Sequence, residues 1–297
     1  MPELPEVETV RRGLEPFLVG ARIDGVTLNR PDLRFPFPPG LAQALTGQSV
    51  LSVSRRAKYL LFTLSGGQTL LSHLGMTGSW RFADRTVDAP RYHATGAAPR
   101  HDHMVWDISH PDHGHSHLIY ADPRRFGFID LYGDPSESPY LAGLGPEPLG
   151  NDFNATRLAL AFRSKKAPIK AALLDQRVVA GLGNIYVSEA LYRAHILPTV
   201  PAGALVDEAG APRPALEALV AAVRDVLNAA IVAGGSTLRD FRNAEGASGY
   251  FQHNFLVYDR EGEPCPTPGC QGHITRIVQS GRSSFFCPIC QKASWPA

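Results

Sequence analysis

All four cysteines of the 297-residue chain lie in its last 33 residues, as Cys265, Cys270, Cys287 and Cys290. The spacing is C-x4-C, then 16 residues, then C-x2-C. Two close pairs separated by a hairpin's length supply four soft thiolate ligands, the pattern of a tetrahedral structural zinc site. Four buried free thiols are a poor alternative, because proline and glycine crowd each pair (EPCPTPGC and FFCPIC). A disulfide scaffold would spread its cysteines along the chain. Four thiolates leave the metal no open coordination position, so its expected role is structural. Arg282 lies between the pairs, beside Gly281 near the hairpin tip or return strand.

At the other end the chain reads MPELPEVETVRRGL. Pro2, Glu3 and Glu6 admit two readings. A proline at an early helix position, with acids in the first turn, is ordinary helix chemistry. Removal of Met1 before a small second residue would instead expose a secondary α-amine. Its pKa of about 7.7–8.0 leaves a usable neutral fraction near pH 7. Such an amine is a nucleophile whose iminium product is an electron sink, and a carboxylate beside it can move protons. Cations recur between the two ends, in RRAK at 55–58, DPRRFG at 122–127 and SKKAPIK at 164–170. Each alone reads as surface charge.

The elements that must position these groups follow from periodicity. Val7, Val10, Leu14 and Leu18 stand near helical spacing with Arg11, Arg12 and Glu15 between them, predicting an amphipathic helix over 3–18. From about 21 to 133 short apolar runs (SVLSV, YLLFTL, TLLSHL, MVWDIS, HLIYAD, FGFIDLY) alternate with glycine and proline turns. Six such runs predict a sandwich or barrel-like β domain. The stretch DPSESPYLAGLGPEPLG, 134–150, is the expected linker. Helical patterns follow at 154–163, 168–176, 184–194 and 214–233, with a loop at 200–214 and the cysteine hairpin at 256–291. The domains expected are therefore 1–133, 151–255 and 256–292, an α+β chain. Seven of eleven histidines fall between 93 and 117, including HPDHGHSH at 110–117. That tract separates two strand-like runs, so a solvated hairpin tip is favoured over a metal site.

Bulk composition sets limits. The chain is 44% hydrophobic and 19% charged, enough apolar content for real cores. Apolar runs are short, so no membrane-spanning helix is expected. The first residues carry acids and no apolar segment, so no secretory signal is expected. The net charge is +1, with −2 over residues 1–150 and +3 over 151–297. That excludes a broadly basic coat but not local patches.

Four sequences occur together: PELPEVE at the terminus, DPRRFG, GLGNIYVSEAL at 181–191, and the cysteine hairpin ending GRSSFFCPICQ. In this order they resemble the formamidopyrimidine-DNA glycosylase family, from Pro2 to Lys292. The resemblance implies an N-terminal β-sandwich with its helix, a helical helix–two-turn–helix domain and a zinc-ribbon hairpin. It implies excision of oxidised purines (8-oxoguanine, formamidopyrimidines) from duplex DNA, then β,δ-elimination at the abasic site. Pro2 would attack the sugar C1′ and form a Schiff base. Glu3 would serve as acid/base, with Glu6 a supporting acid. Lys58 would contact the lesion phosphate and donate a proton in β-elimination. Met76, Arg124 and Phe126 would form a wedge, with Arg124 facing the opposite base and the apolar pair filling the gap that base extrusion leaves. His101, Lys165 and Asn184 would contact DNA. Arg282 would grip phosphates and assist δ-elimination. His103 and Arg125 are expected to be structural. The loop 235–251 would cap the lesion. The expected cofactor is one structural Zn²⁺ per chain. The expected partner is double-stranded DNA, with no membrane, for a cytoplasmic bacterial monomer. The cations come from both halves of the chain and are expected to converge on a cleft.

Two departures stand out: some members have C-x2-C at the first cysteine pair, and the histidine-rich tip looks like an insertion. A related family of endonuclease VIII-like enzymes, which prefers oxidised pyrimidines, is the near alternative. PELPE rather than PEGPE, and the Met76/Arg124/Phe126 set, favour the purine enzyme. A non-catalytic zinc-ribbon DNA-binding module would give Pro2 and Glu3 no role.

Overall fold

The structure, a computed structural model, describes residues 1–83, 99–236 and 250–293. It divides into two compact units, Met1–Ala142 with Ile231–Gln252, and Gly143–Ala230 with His253–Ala297. The architecture is α+β.

The first unit begins with helix α1 (Leu4–Leu18), whose Val7, Val10, Leu14 and Leu18 are all fully buried. Strand β1 (Arg22–Leu28), a short helix α2 (Leu41–Leu45), and strands β2 (Val50–Arg56), β3 (Tyr59–Leu64), β4 (Thr69–His73), β5 (Ser79–Phe82), β6 (Asp102–His110), β7 (Gly114–Ala121) and β8 (Phe128–Tyr132) follow. Among the described residues these strands form two antiparallel four-stranded sheets, ordered β1-β6-β7-β5 and β2-β3-β4-β8. Period-2 patterning explains the packing. In β3, Leu60, Phe62 and Leu64 point inward and the alternate residues are half-buried. Phe62 meets Trp80 and Trp106 of the opposite sheet at ring separations of 5.5 and 5.8 Å. The α1 face joins the same core and packs on β2. The sandwich expectation holds. The apolar runs marked β2, β3, β4, β6, β7 and β8. β1 (RIDGVTL) and β5 (SWRF) lack a continuous run, and α2 is too short to show a period.

The second unit holds helices α3 (Ala155–Phe162), α4 (Ile169–Leu174), α5 (Asn184–Arg193) and α6 (Pro214–Val232), then the hairpin of β9 (Thr275–Gln279) and β10 (Arg282–Phe286). Asn154 caps α3 by accepting from the Arg157 amide. A small core of Tyr192, Val257, Ile274, Phe285 and two of the cysteines backs the hairpin.

The histidine tract forms the β6–β7 hairpin tip. His113 and His115 are exposed. Both ring nitrogens of His110 are engaged, one with the Val19 carbonyl and the other with the Asp112 amide.

Phe62 touches both sheets, so Phe62→Ala should cost about 3–5 kcal/mol. The expected readout is a lower urea midpoint at unchanged slope in equilibrium unfolding.

Candidate active site and nucleic-acid interface

Pro2 is buried at the start of α1. Glu3 and Glu6 beside it are 4% and 2% exposed. They form a reciprocal capping box, in which the Glu3 amide donates to Glu6 Oε2 at 2.9 Å. The other Glu6 oxygen accepts from the Ser236 amide at 2.8 Å and its hydroxyl at 3.0 Å. Glu6 therefore braces the helix start against the segment where loop 235–251 begins. Residues 237–249 of that loop lie outside the described residues.

Lys58 is 7% exposed and sits in the two-residue turn between β2 and β3. Ala57 there adopts φ 53°, and its carbonyl accepts from Arg55 at 2.9 Å. Arg55 also donates to Glu8 of α1 at 3.2 Å. Burial raises the Glu8 carboxyl, but hydrogen bonds from Arg11 and Arg12 outweigh it and hold the group below its usual range. Helix start and lysine turn are thus tied through one ion-paired cluster. His73 packs between Tyr59 and Phe128. Burial first, then the charges of Lys58 and Arg34, push its imidazole down to about 4. Its Nδ1 accepts from the Gly75 amide at 3.1 Å.

Gly75 opens the loop carrying Met76, which is 36% exposed, and Phe126 of the second loop is 45% exposed. Exposed apolar side chains on two adjoining loops suit insertion into a base stack. The guanidinium of Arg124 lies 4.8 Å from the Phe126 ring centroid. The loops are interlocked: a Cβ on Gly75 would fall 2.3 Å from the Gly127 nitrogen. Asp122, fully buried, accepts from the Thr77 hydroxyl and, at 2.8 Å, from the Gly127 amide. The Asp122 amide donates to the His101 carbonyl at 3.1 Å, which places His101 beside the same loop. His103 is 3% exposed and bonded through Nε2 to the Asp122 carbonyl, the structural role expected of it. Arg125 is exposed, with φ 56°. Thr77, Asp122, His73 and Ser236 were not singled out from sequence, although Asp122 stands within DPRRFG and His73 within the run TLLSHL.

In the second unit Lys165 is half-buried between α3 and α4. Asn184 is the first residue of α5. Its amide donates to the Ser283 carbonyl at 3.0 Å, and its Oδ1 has no partner among the described residues. Lys170 departs from the expectation for the SKKAPIK cations. It is 1% exposed, and its Nζ donates to the Ser283 carbonyl at 2.6 Å and the Ser284 hydroxyl at 2.7 Å. It supports the hairpin from within. Arg282 is exposed at the head of β10, after the two-residue turn Ser280–Gly281 with φ 49° and 74°. That turn needs left-handed backbone, which Gly281 supplies without strain.

The four cysteine sulfurs lie within 4.8 Å of one another. Cys265 and Cys290 are 3.6 Å apart, Cys270 and Cys287 3.8 Å. Zn–S bonds of about 2.3 Å in a tetrahedron require sulfurs about 3.8 Å apart. Backbone amides of Gly272 and Cys290 point at Cys270 and Cys287 at 3.4 Å, as suits thiolates. The set fits one structural zinc ion. Among the described residues it is the only such group of three or more ligands. No described helix is long and apolar enough to cross a membrane.

Three family models match in succession. They are the formamidopyrimidine-DNA glycosylase N-terminal domain over residues 1–129, its H2TH domain over 144–242, and the zinc finger found in FPG and IleRS over 262–293. The formamidopyrimidine-DNA glycosylase of Rhizobium etli is 53% identical over 297 residues, covering 98% of this chain and all of that protein. That of Azorhizobium caulinodans is 55% identical at the same coverage. Among solved structures, the Lactococcus lactis Fpg in complex with DNA containing an abasic site superposes with TM-score 0.81 at 36% identity. It covers 98% of this chain and 100% of the other. A mutant of the same protein with Fapy-dG-containing DNA gives 0.81 at 37%. The chain belongs to the formamidopyrimidine-DNA glycosylase family of DNA-repair enzymes.

Two outcomes follow from the site. Between pH 6.5 and about 4 the unfolded chain takes up a proton that folded His73 refuses. Stability should therefore fall as pH drops through that window. In His73→Asn the pH slope of the unfolding free energy should shrink by about 1.4 kcal/mol per pH unit. Urea melts at pH 7, 6 and 5 measure it. Metal analysis should return one zinc per chain, lost in Cys287→Ser together with binding of lesion-containing duplex.

Proposed function

We propose that this chain excises oxidised purines from duplex DNA and then cleaves the strand at the abasic site. The observation that carries the reading is the burial of Glu3 and Glu6 around Pro2. A secondary amine in that place, once Met1 is removed, has a proton acceptor beside it and little water around it. The amine nitrogen forms a bond to C1′ as the bond from C1′ to the base breaks. Glu3 carries protons between the amine and the sugar ring oxygen. The iminium then acidifies the neighbouring sugar carbon, so β-elimination expels the 3′ phosphate and δ-elimination the 5′ phosphate. A one-nucleoside gap remains, with phosphates at both ends. Lys58 holds the lesion phosphate as a point charge and supplies a proton during β-elimination. Met76 and Phe126 hold the gap open while Arg124 reads the orphaned base. His101, Lys165, Asn184 and Arg282 bind phosphates, and Arg282 assists δ-elimination. The zinc serves only to shape the hairpin that carries Arg282. The enzyme works as a cytoplasmic monomer, through domains at 1–133, 151–255 and 256–292 with a linker at 134–150.

Borohydride trapping on a duplex containing 8-oxoguanine tests the mechanism. A covalent protein–DNA adduct is expected, strongly reduced in Pro2→Gly. Excision should fall about 10²–10⁴-fold in Glu3→Gln. An undiminished adduct in Pro2→Gly would defeat the assignment. Thymine glycol excised in strong preference to 8-oxoguanine would shift the substrate class to oxidised pyrimidines.

A further inference from the structure

We propose that Thr77 is a positioning residue that sets opposite-base selectivity by latching the two wedge loops together. The inference rests on the glycosylase reading above and adds a residue that touches neither lesion nor sugar.

The wedge side chains come from loops far apart in sequence. Met76 follows β4, while Arg124 and Phe126 follow β7. Their tips are exposed, so the tips do not hold each other in register with a base pair. Only the loop bases can do that. One hydroxyl joins them. Thr77 Oγ1 accepts from the Arg124 amide at 3.1 Å and donates to Asp122 Oδ1. The second Asp122 oxygen accepts from the Gly127 amide. Asp122 thus holds the far end of the turn that Thr77 holds at the near end. Both residues are buried, Thr77 to 7% and Asp122 to zero exposure. A buried hydroxyl bonded to a carboxylate is worth more than an exposed one, and leaving that carboxylate short of a donor is costly.

The geometry makes the coupling specific. Arg124 is fixed at its own amide by Thr77, the residue next to Met76. A shift of either loop changes the distance between the guanidinium and the apolar tip that fills the gap. Discrimination by hydrogen bonds to a base edge depends on such placement. The close approach of Gly75 to Gly127 sets how near the loops come, and the Thr77 hydroxyl sets their offset.

The experiment compares wild type, Thr77→Val and Thr77→Ser. Valine keeps the shape and removes both hydrogen bonds; serine keeps the hydroxyl. Single-turnover excision is measured on 8-oxoguanine opposite cytosine and opposite adenine, with thermal unfolding as the control for folding. The ratio of the two rates should move about tenfold in Thr77→Val and return to within about twofold of wild type in Thr77→Ser. An unchanged ratio in folded Thr77→Val, or a serine variant no better than valine, overturns the proposal. If valine prevents folding, Thr77→Ala against Thr77→Ser carries the same comparison. Hydrogen exchange at the Arg124 amide separates the latch from the function. Exchange should be faster in Thr77→Val and unchanged in Thr77→Ser. If the wild type excises neither duplex while exchange responds this way, the glycosylase reading falls and the latch stands. If exchange does not respond, the latch falls whatever the activity.

Discussion

A carboxylate taken out of water must find donors, and in this protein the donors are mostly backbone amides of loops. Three buried acids obey the rule. Glu6 accepts from Glu3 and Ser236. Asp122 accepts from Thr77 and Gly127. Glu189, fully buried on α5, accepts from the amides of Leu256, Val257 and Tyr258 at 2.9–3.1 Å. Each acid sits near a regular element and gathers an irregular segment onto it. The segments so gathered are the start of loop 235–251, the loop that carries Arg124, and the bend and turn that lead into the cysteine hairpin. Irregular backbone buried without such partners would be unstable, so these segments are ordered by the acids that collect their amides.

The second unit applies the same logic with opposite charge. Lys170 is an ammonium almost out of contact with water, held by the Ser283 carbonyl and the Ser284 hydroxyl. Asn184 adds a third donor from a different helix to the same carbonyl region. Ser283 is the residue next to Arg282, so two helices fix the backbone from which an exposed guanidinium projects. A long, flexible side chain gains precision when its Cα cannot wander. The zinc site closes the hairpin from the opposite end, through sulfurs spaced as a tetrahedral ion requires.

Much of this was legible in the residues. Cysteine spacing specified the metal centre, because ligand geometry imposes itself directly on sequence. The periodicity of Val7, Val10, Leu14 and Leu18 gave α1, and continuous apolar runs gave six strands. β1 and β5 escaped because they mix polar residues and glycine into short segments and owe their strand form to neighbours. Lys170 escaped for a different reason. A lysine among lysines reads as surface, and only the tertiary fold shows its four-carbon stem threading into the interior. The Thr77–Asp122 pair was equally silent, since partners 45 residues apart leave no local pattern. What sequence carries well is local or repetitive. What it carries poorly is which single polar group meets which.

The contact between Gly75 and Gly127 has a consequence for how these loops can change over generations. A methyl group added at Gly75 would run into the Phe126–Gly127 backbone, and one added at Gly127 into the Tyr120 hydroxyl and the His73 carbonyl, at the end of the strand that leads to Gly75. Substitutions there will not act additively, as is usual for residues in direct contact. A lineage altering one loop must therefore accept a matching alteration in the other, or lose the fit of both. Two stretches distant in the chain are in this sense one heritable unit, and variation in these two loops is expected to arrive in pairs.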